Sequence, residues 1–303
     1  MKKINGYIVA PFTPMYENGD LNLDLIPEYA KFVKRNGPDG VFVCGSTGEG
    51  ALLTKEERKA VAEKWISESD GEMKVIVHTG GTNVRDQQEI AAHAQQIGAW
   101  GIAAMAPAFL PPKRTEEFVD YCKAIAKSAP ELPFYYYHIP PLNGFRLSVV
   151  DFLEAAGKEI PNLAGVKFTD SNIYEFDKCR HVADGKYEML WGLDEMFLDG
   201  LAFGNKAGVG GTYNHCFALY RDMKVAFDRN DLSACRGLQH KSHNFIDVLV
   251  KYRGNIIGGK RIMKFLGLDC GPNRIPLQTI SKLEEKELRK DLEAIGFFEF
   301  CNK

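Results

Sequence analysis

Several features that commonly assign a chain are missing from these 303 residues. No long apolar run is present: in the opening MKKINGYIVAPFTP the apolar stretch stops at Pro11, too short for a secretory signal or a membrane span. Paired cysteines are missing as well. The seven cysteines, at positions 44, 122, 179, 216, 235, 270 and 301, are odd in number, widely spaced and form no CxxC, which argues for free thiols in a reducing compartment, the cytoplasm. Neither sign of charge dominates, because 38 Lys and Arg are scattered among 40 Asp and Glu. No basic face is therefore offered to nucleic acid or anionic lipid, and a small-molecule partner is expected. No G-x-G-x-x-G follows the first apolar segment and no G-x-x-x-x-G-K-[ST] occurs, so dinucleotide and triphosphate sites lack their loops. His240 and His243 stand at i, i+3 on a helical stretch, but no carboxylate or cysteine accompanies them, and they read as a solvated helix face. No metal site is expected.

What is present is a rhythm. Eight short apolar or β-branched segments recur: YIVAPFT (7–13), GVFVCGSTGE (40–49), KVIVHTG (74–80), WGIAAMAP (100–107), PFYYYHIP (133–140), LAGVKFT (163–169), YEMLWGLDE (187–195) and AGVGGTYN (207–214). Segments with helical period fill the gaps, one of them opened at Thr54 and Glu57 by a capping-box pattern. Eight successive strand–loop–helix units with strands buried on both faces predict an α/β fold, a closed (β/α)8 TIM barrel, over 1–228. A doubly wound open sheet is the alternative architecture. Residues 229–303 read as helices only, a C-terminal helical extension of the same structural unit, with no linker before it.

In such barrels the chemistry sits at the C-terminal strand ends. Read together, these ends supply Thr13, Ser46, Thr47, Glu49, Tyr137, Lys167, Thr169, Asp194, Glu195, Thr212 and Asn214. Lys167 ends an apolar strand. Reaching water is the ordinary reason for a lysine there, but an inward-facing amine would be desolvated, which disfavours its charged form and equips it to condense with a carbonyl. In YYYHIP, Tyr135 and Tyr137 share one face and Tyr136 takes the other. Tyr137, nearest the strand end, is placed for proton transfer, and the other two read as core aromatics with satisfied hydroxyls. The GSTGE loop has the small residues of a nest for a compact anion such as a carboxylate. Asp194 and Glu195 are adjacent acceptors suited to hydroxyl groups, with an N-cap role open to Asp194 alongside ligand contact.

GSTGE after strand two, YYYHIP at strand five, GVKFTD at strand six, then GLDE and GGTYN at strands seven and eight, resemble in order and position the N-acetylneuraminate lyase family, within the dihydrodipicolinate synthase superfamily of pyruvate-dependent class I aldolases. The resemblance spans Gly6 to about Asn214. It implies that Lys167 forms a Schiff base with the C2 ketone of open-chain sialic acid and that Tyr137 transfers the proton. It further implies that Ser46 and Thr47 hold the carboxylate, while Thr169, Gly192, Asp194, Glu195 and Gly211 line the sugar end. Retro-aldol cleavage of C3–C4 then yields N-acetylmannosamine and pyruvate without cofactor or metal, in an assembly that is usually a homotetramer. The chain departs from the family pattern at three places. Leu142 stands where dihydrodipicolinate synthases carry an arginine for a second carboxylate, Gly211 replaces a usual serine, and PAFLPP has Phe109 and Leu110 where some members have tyrosines. Aldolases or dehydratases for other 2-keto-3-deoxy sugar acids, a dihydrodipicolinate synthase-like condensation and a non-catalytic keto-acid-binding barrel are the alternatives.

Overall fold

The computed structural model describes residues 3–303. Met1 and Lys2, part of the opening stretch read above against a signal peptide, lie outside the described residues. Eight parallel strands close into a ring in chain order: β1 (Tyr7–Val9), β2 (Gly40–Val43), β3 (Lys74–His78), β4 (Gly101–Met105), β5 (Phe134–His138), β6 (Leu163–Phe168), β7 (Glu188–Trp191) and β8 (Ala207–Gly210), with β8 pairing back to β1. All eight expected strands are present, each shorter than its sequence segment because the last residues leave the ladder as loops. The fold is a (β/α)8 barrel.

The crossovers are α1 (Ile26–Asn36), α2 (Lys55–Ser67), α3 (Val84–Gln96), α4 (Thr115–Ala126), the single turn α5 (Pro140–Asn143), α6 (Val149–Glu159), α7 (Ile173–His181), α8 (Phe197–Ala202) and α9 (Tyr213–Asp228). The capping box is formed: Glu57 N donates to Thr54 Oγ1 at 3.2 Å and Thr54 N to Glu57 Oε2 at 2.7 Å.

Strand alternation sorts side chains into two apolar layers. Phe42, Ile76, Ala103, Tyr135 and Leu190 fill the barrel interior, whereas Val41, Val43, Val75, Val77 and Tyr136 face the helices. The tyrosine assignment holds: Tyr135 donates to Glu188 Oε2 at 2.8 Å at the barrel floor, and the Tyr136 hydroxyl pairs with His138 Nδ1 at 2.9 Å in the outer layer.

One irregularity decides the site. On β6, Leu163 pairs with Phe134 and Gly165 with Tyr135, so Ala164 is an extra residue in the ladder. This β-bulge shifts the phase of the strand. Ala164 packs in the inner layer, yet Val166 and Phe168 lie in the outer one, leaving Lys167 inside. Strict alternation from Ala164 would have turned Lys167 outward.

The extension comprises α10 (Leu232–Lys251), a π-helical turn (Asn255–Gly259), α11 (Lys260–Phe265), α12 (Lys282–Ala294) and α13 (Phe297–Phe300). Its Phe245, Leu249, Ile262 and Phe297 belong to the same apolar cluster as Tyr213 and Phe217 of α9. Near the C-terminus, the Asn302 amide donates to the carbonyls of Tyr213 and Asn214 at 2.9 and 3.0 Å, satisfying acceptors at the start of α9.

Candidate active site

Cross-strand register places Tyr137 beside Lys167 on neighbouring strands. The Lys167 side chain is buried, 5% exposed, and its Nζ lies 3.6 Å from the centroid of the Tyr137 ring and 4.9 Å from that of Phe42. The amine thus rests on aromatic faces rather than on a carboxylate. The Tyr137 hydroxyl reaches Ser46 Oγ at 3.4 Å. Phe42 and His78 hold the tyrosine ring edge-on, each with a centroid separation of 5.6 Å. His78 is itself fixed by Nδ1, which donates to the Cys44 carbonyl at 3.1 Å. Burial, and then the nearby Arg58 charge, push its imidazole down to about 3, so it packs as a neutral ring.

All the expected site residues, Ser46, Thr47, Tyr137, Lys167, Thr169, Gly192, Asp194, Glu195 and Gly211, line one cavity of about 240 Å³ at the barrel mouth. Around GSTGE, Glu49 N and Gly50 N close the turn onto Ser46 and Gly45 carbonyls, both at 3.0 Å. Thr169 Oγ1 has no hydrogen-bond partner among the described residues, and a Cβ on Gly192 would run into it, so glycine keeps the way to that hydroxyl open. Leu142 stands at the rim, 60% exposed, and Lys167 is the only cation among the described residues lining the cavity.

Other strand-end residues are used structurally. Thr13 donates to the Gly48 carbonyl at 2.6 Å, and Asn214 bonds Tyr29 and the carbonyls of Ala10 and Gly211. Glu49 forms a buried ion pair with Lys260 of the extension at 2.7 Å.

Asp194 corrects one expectation. It does not cap its own helix: Leu193 takes the N-cap position of the short turn Asp194–Met196, and no side chain caps it. Instead Asp194 Oδ2 accepts from Thr212 N at 2.9 Å and Thr212 Oγ1 at 2.7 Å, tying the loop after β7 to the end of β8. The chain of hydroxyls continues from Thr212 through Tyr220 to Ser242 on α10, at 2.6 and 3.0 Å. His243 lies exposed, as the helix-face reading expects, and also donates from Nε2 to the Glu195 carbonyl at 2.8 Å, so that face braces the site loop.

Burial pushes the Asp194 carboxyl from 3.8 up to about 7, against the two Thr212 hydrogen bonds that favour the carboxylate. A folded-state value above the unfolded one means that folding binds a proton within this window. The stabilising effect is complete at its acid end and is lost as pH rises through about 7. Asp194→Asn carries no such proton, and its amide oxygen can still accept from Thr212. Relative to wild type, the variant is expected to gain stability between about pH 5 and about pH 8, read from urea midpoints. A difference that stays constant over that range refutes it.

The sequence reading missed part of the wall. Ile246, Leu249 and Val250 of α10, with Gly254, Asn255 and Ile256 beyond it, close the cavity from the extension. Their helical stripe looks like ordinary core, and the only local signal was the glycine-rich NIIGG after a long helix. His78 and Phe42 were missed for the same reason: both resemble strand core.

Comparison with known proteins agrees with this fold. The model of the dihydrodipicolinate synthetase family matches residues 3–295. N-acetylneuraminate lyase from Homo sapiens is 36% identical over 305 residues, covering 99% of this chain and 95% of that protein. Among solved structures, Proteus mirabilis N-acetylneuraminate lyase superposes with a TM-score of 0.95 at 37% identity, covering 98% of this chain and 100% of that one. The Ruminococcus gnavus sialic acid aldolase catalytic lysine mutant gives 0.91 at 28% identity, covering 99% and 100%. A match of this extent, on a barrel whose lysine and tyrosine meet at its mouth, means that the chain belongs to the dihydrodipicolinate synthetase family.

Proposed function

We propose that this protein is a class I lyase that cleaves N-acetylneuraminate reversibly to N-acetylmannosamine and pyruvate through a Schiff base on Lys167. The observation that carries the proposal is the buried Lys167 amine lying against Tyr137, whose hydroxyl reaches Ser46. The names of the relatives support the substrate, and one of the solved relatives, the Ruminococcus gnavus sialic acid aldolase, is described as a catalytic lysine mutant.

In this reading the substrate carboxylate rests on Ser46, Thr47 and the small-residue turn around them. The neutral Lys167 amine adds to the C2 ketone, the Tyr137 hydroxyl gives its proton to the departing hydroxyl so that water leaves, and an iminium ion and the Tyr137 phenolate result. The Tyr137 phenolate takes the proton of the C4 hydroxyl, the C3–C4 bond breaks, and its electron pair passes into the iminium as an enamine. N-acetylmannosamine departs as the aldehyde, C3 is protonated, and hydrolysis frees pyruvate and the lysine. No redox partner enters the balance, and no cofactor is needed. Thr169, Gly192, Asp194, Glu195 and Gly211 face the polyol. With Leu142 at the rim and no second cation lining the cavity among the described residues, a substrate with one carboxylate and neutral hydroxyls fits better than a dicarboxylate.

We infer a cytoplasmic protein, consistent with seven buried free cysteines. No helix among the described residues is long and apolar enough to cross a membrane. Phe109 and Leu110 protrude, 73% and 80% exposed, and support an interface within a homotetramer, to be checked by light scattering.

Incubation with N-acetylneuraminate tests the function directly. Pyruvate and N-acetylmannosamine are expected in equal amounts. Faster cleavage of shorter 2-keto-3-deoxy acids in a substrate panel would transfer the reading to those sugars, and no cleavage of either kind would overturn it.

A further inference from the structure

Asn255 is the first residue of the π-helical turn, and the two residues before it, Arg253 at φ 66° and Gly254 at φ 82°, are both left-handed. The chain is thereby swung back over the barrel mouth, where Asn255 joins the cavity wall. Its carboxamide lies between two glycines. A Cβ on Gly211 would be 2.5 Å from Asn255 Nδ2 and 3.3 Å from Thr47 Oγ1, and a Cβ on Gly259 would be 2.5 Å from Asn255 Oδ1. Both glycines leave room for the amide, and any larger residue at either position displaces it. The oxygen end is buried without a hydrogen-bond partner among the described residues. The NH2 end, beside Gly211 and Thr47, takes no acceptor among the described residues. A clamped amide whose NH2 has no acceptor among the described residues, on the cavity wall beside Thr47, is arranged to donate to a ligand oxygen.

We propose that Asn255 is a substrate-binding residue whose amide donates to an oxygen in the sugar part of the substrate, so that the C-terminal extension supplies a specificity contact to the barrel. The inference rests on the aldolase reading above and adds a contact to it. The Gly211 backbone alone offers no side-chain donor on that wall, and Asn255 occupies the volume that a side chain at 211 would need.

The test separates the sugar part from the keto-acid part. Pyruvate carries only the carboxylate, ketone and methyl group, and borohydride traps its adduct on the lysine. Asn255→Ala is expected to raise KM for N-acetylneuraminate by on the order of tenfold, the effect of one lost hydrogen bond, while the half-saturation for pyruvate trapping stays within about twofold. Asn255→Asp keeps the shape and loses the donor, and is expected to raise KM similarly. Gly211→Ala pushes the amide aside and is expected to mimic Asn255→Ala. The double variant should then be no worse than the poorer single variant, because both act on one contact. Equal losses for pyruvate and the sugar acid, unchanged KM in both Asn255 variants, or additive effects of the two positions would each overturn the proposal. A wild-type protein that pyruvate and borohydride fail to label would overturn the aldolase reading, and this contact with it.

Discussion

Lys167→Ala is expected to lower the rate of pyruvate release by on the order of 10⁴- to 10⁶-fold, the scale seen when a catalytic nucleophile is removed outright. No other lysine lines the cavity among the described residues. The nearest buried alternative by character, Lys260, is spent on Glu49. Lys167→Arg keeps a cation on the Tyr137 and Phe42 faces but cannot form an imine, so it should lose as much activity as the alanine variant. That pair of variants separates covalent chemistry from electrostatics. The expected fold is intact in both, because Lys167 satisfies no carboxylate, and truncating it strands no buried partner. Circular dichroism and thermal melting check the fold, and mass spectrometry after pyruvate and borohydride checks the adduct. A Lys167→Arg protein that kept even a few per cent of the wild-type rate would end the Schiff-base account.

The second large effect concerns stability. Glu49 and Lys260 form an ion pair at 2.7 Å with side-chain exposures of 0% and 1%. Glu49 also accepts from Arg274 N at 2.8 Å and Asn273 Nδ2 at 3.2 Å, and Lys260 donates to the Pro272 carbonyl at 2.7 Å. Burial drives the Lys260 ammonium below its ordinary range, while Glu49 works in the opposite direction. Lys260→Met leaves a carboxylate in the interior with its principal counter-charge gone, which is expected to cost about 3–5 kcal/mol. Glu49→Gln strands the ammonium and is expected to fall in the same range. The combination Glu49→Gln/Lys260→Met should be less destabilised than the sum of the two, because no unpaired charge is left behind. Denaturant midpoints at constant slope measure all three. Glu49 sits two residues beyond Thr47, at φ 54°, so the same variants should raise KM for the keto acid by loosening the turn that carries Ser46 and Thr47. If Lys260→Met unfolded at the wild-type midpoint, the pair would not be what locks the extension to that loop.

Much of the site was legible because it depends on local pattern. Short apolar and β-branched runs, with helical period between them, placed eight strands and their helices, and in a closed parallel ring the strand ends necessarily converge on one face. Ser46, Thr47, Tyr137, Lys167, Thr169, Asp194 and Glu195 stand at those strand ends, Gly192 and Gly211 were added by the family resemblance, and all nine line one cavity. Family resemblance sharpened the chemistry, and strand position alone left Lys167 with two readings.

The rest was not legible, for physical reasons that can be named. Which way Lys167 points depends on the bulge at Ala164, a matter of register against β5 that no single strand contains. An N-cap role was open to Asp194 beside ligand contact because the cap motif is local, but Thr212, eighteen residues on, offered two donors and took the carboxylate. His78 supports Tyr137 and Asn255 enters the cavity only because distant segments fold against each other. The sequence by itself therefore determined the barrel and the strand-end residues, both written in short-range pattern, and its motifs marked the family that implies the chemistry. Tertiary structure alone decided the orientation of the lysine, the partner of the aspartate and the part played by the C-terminal helices, since those follow from packing and hydrogen-bond competition between residues far apart in the chain.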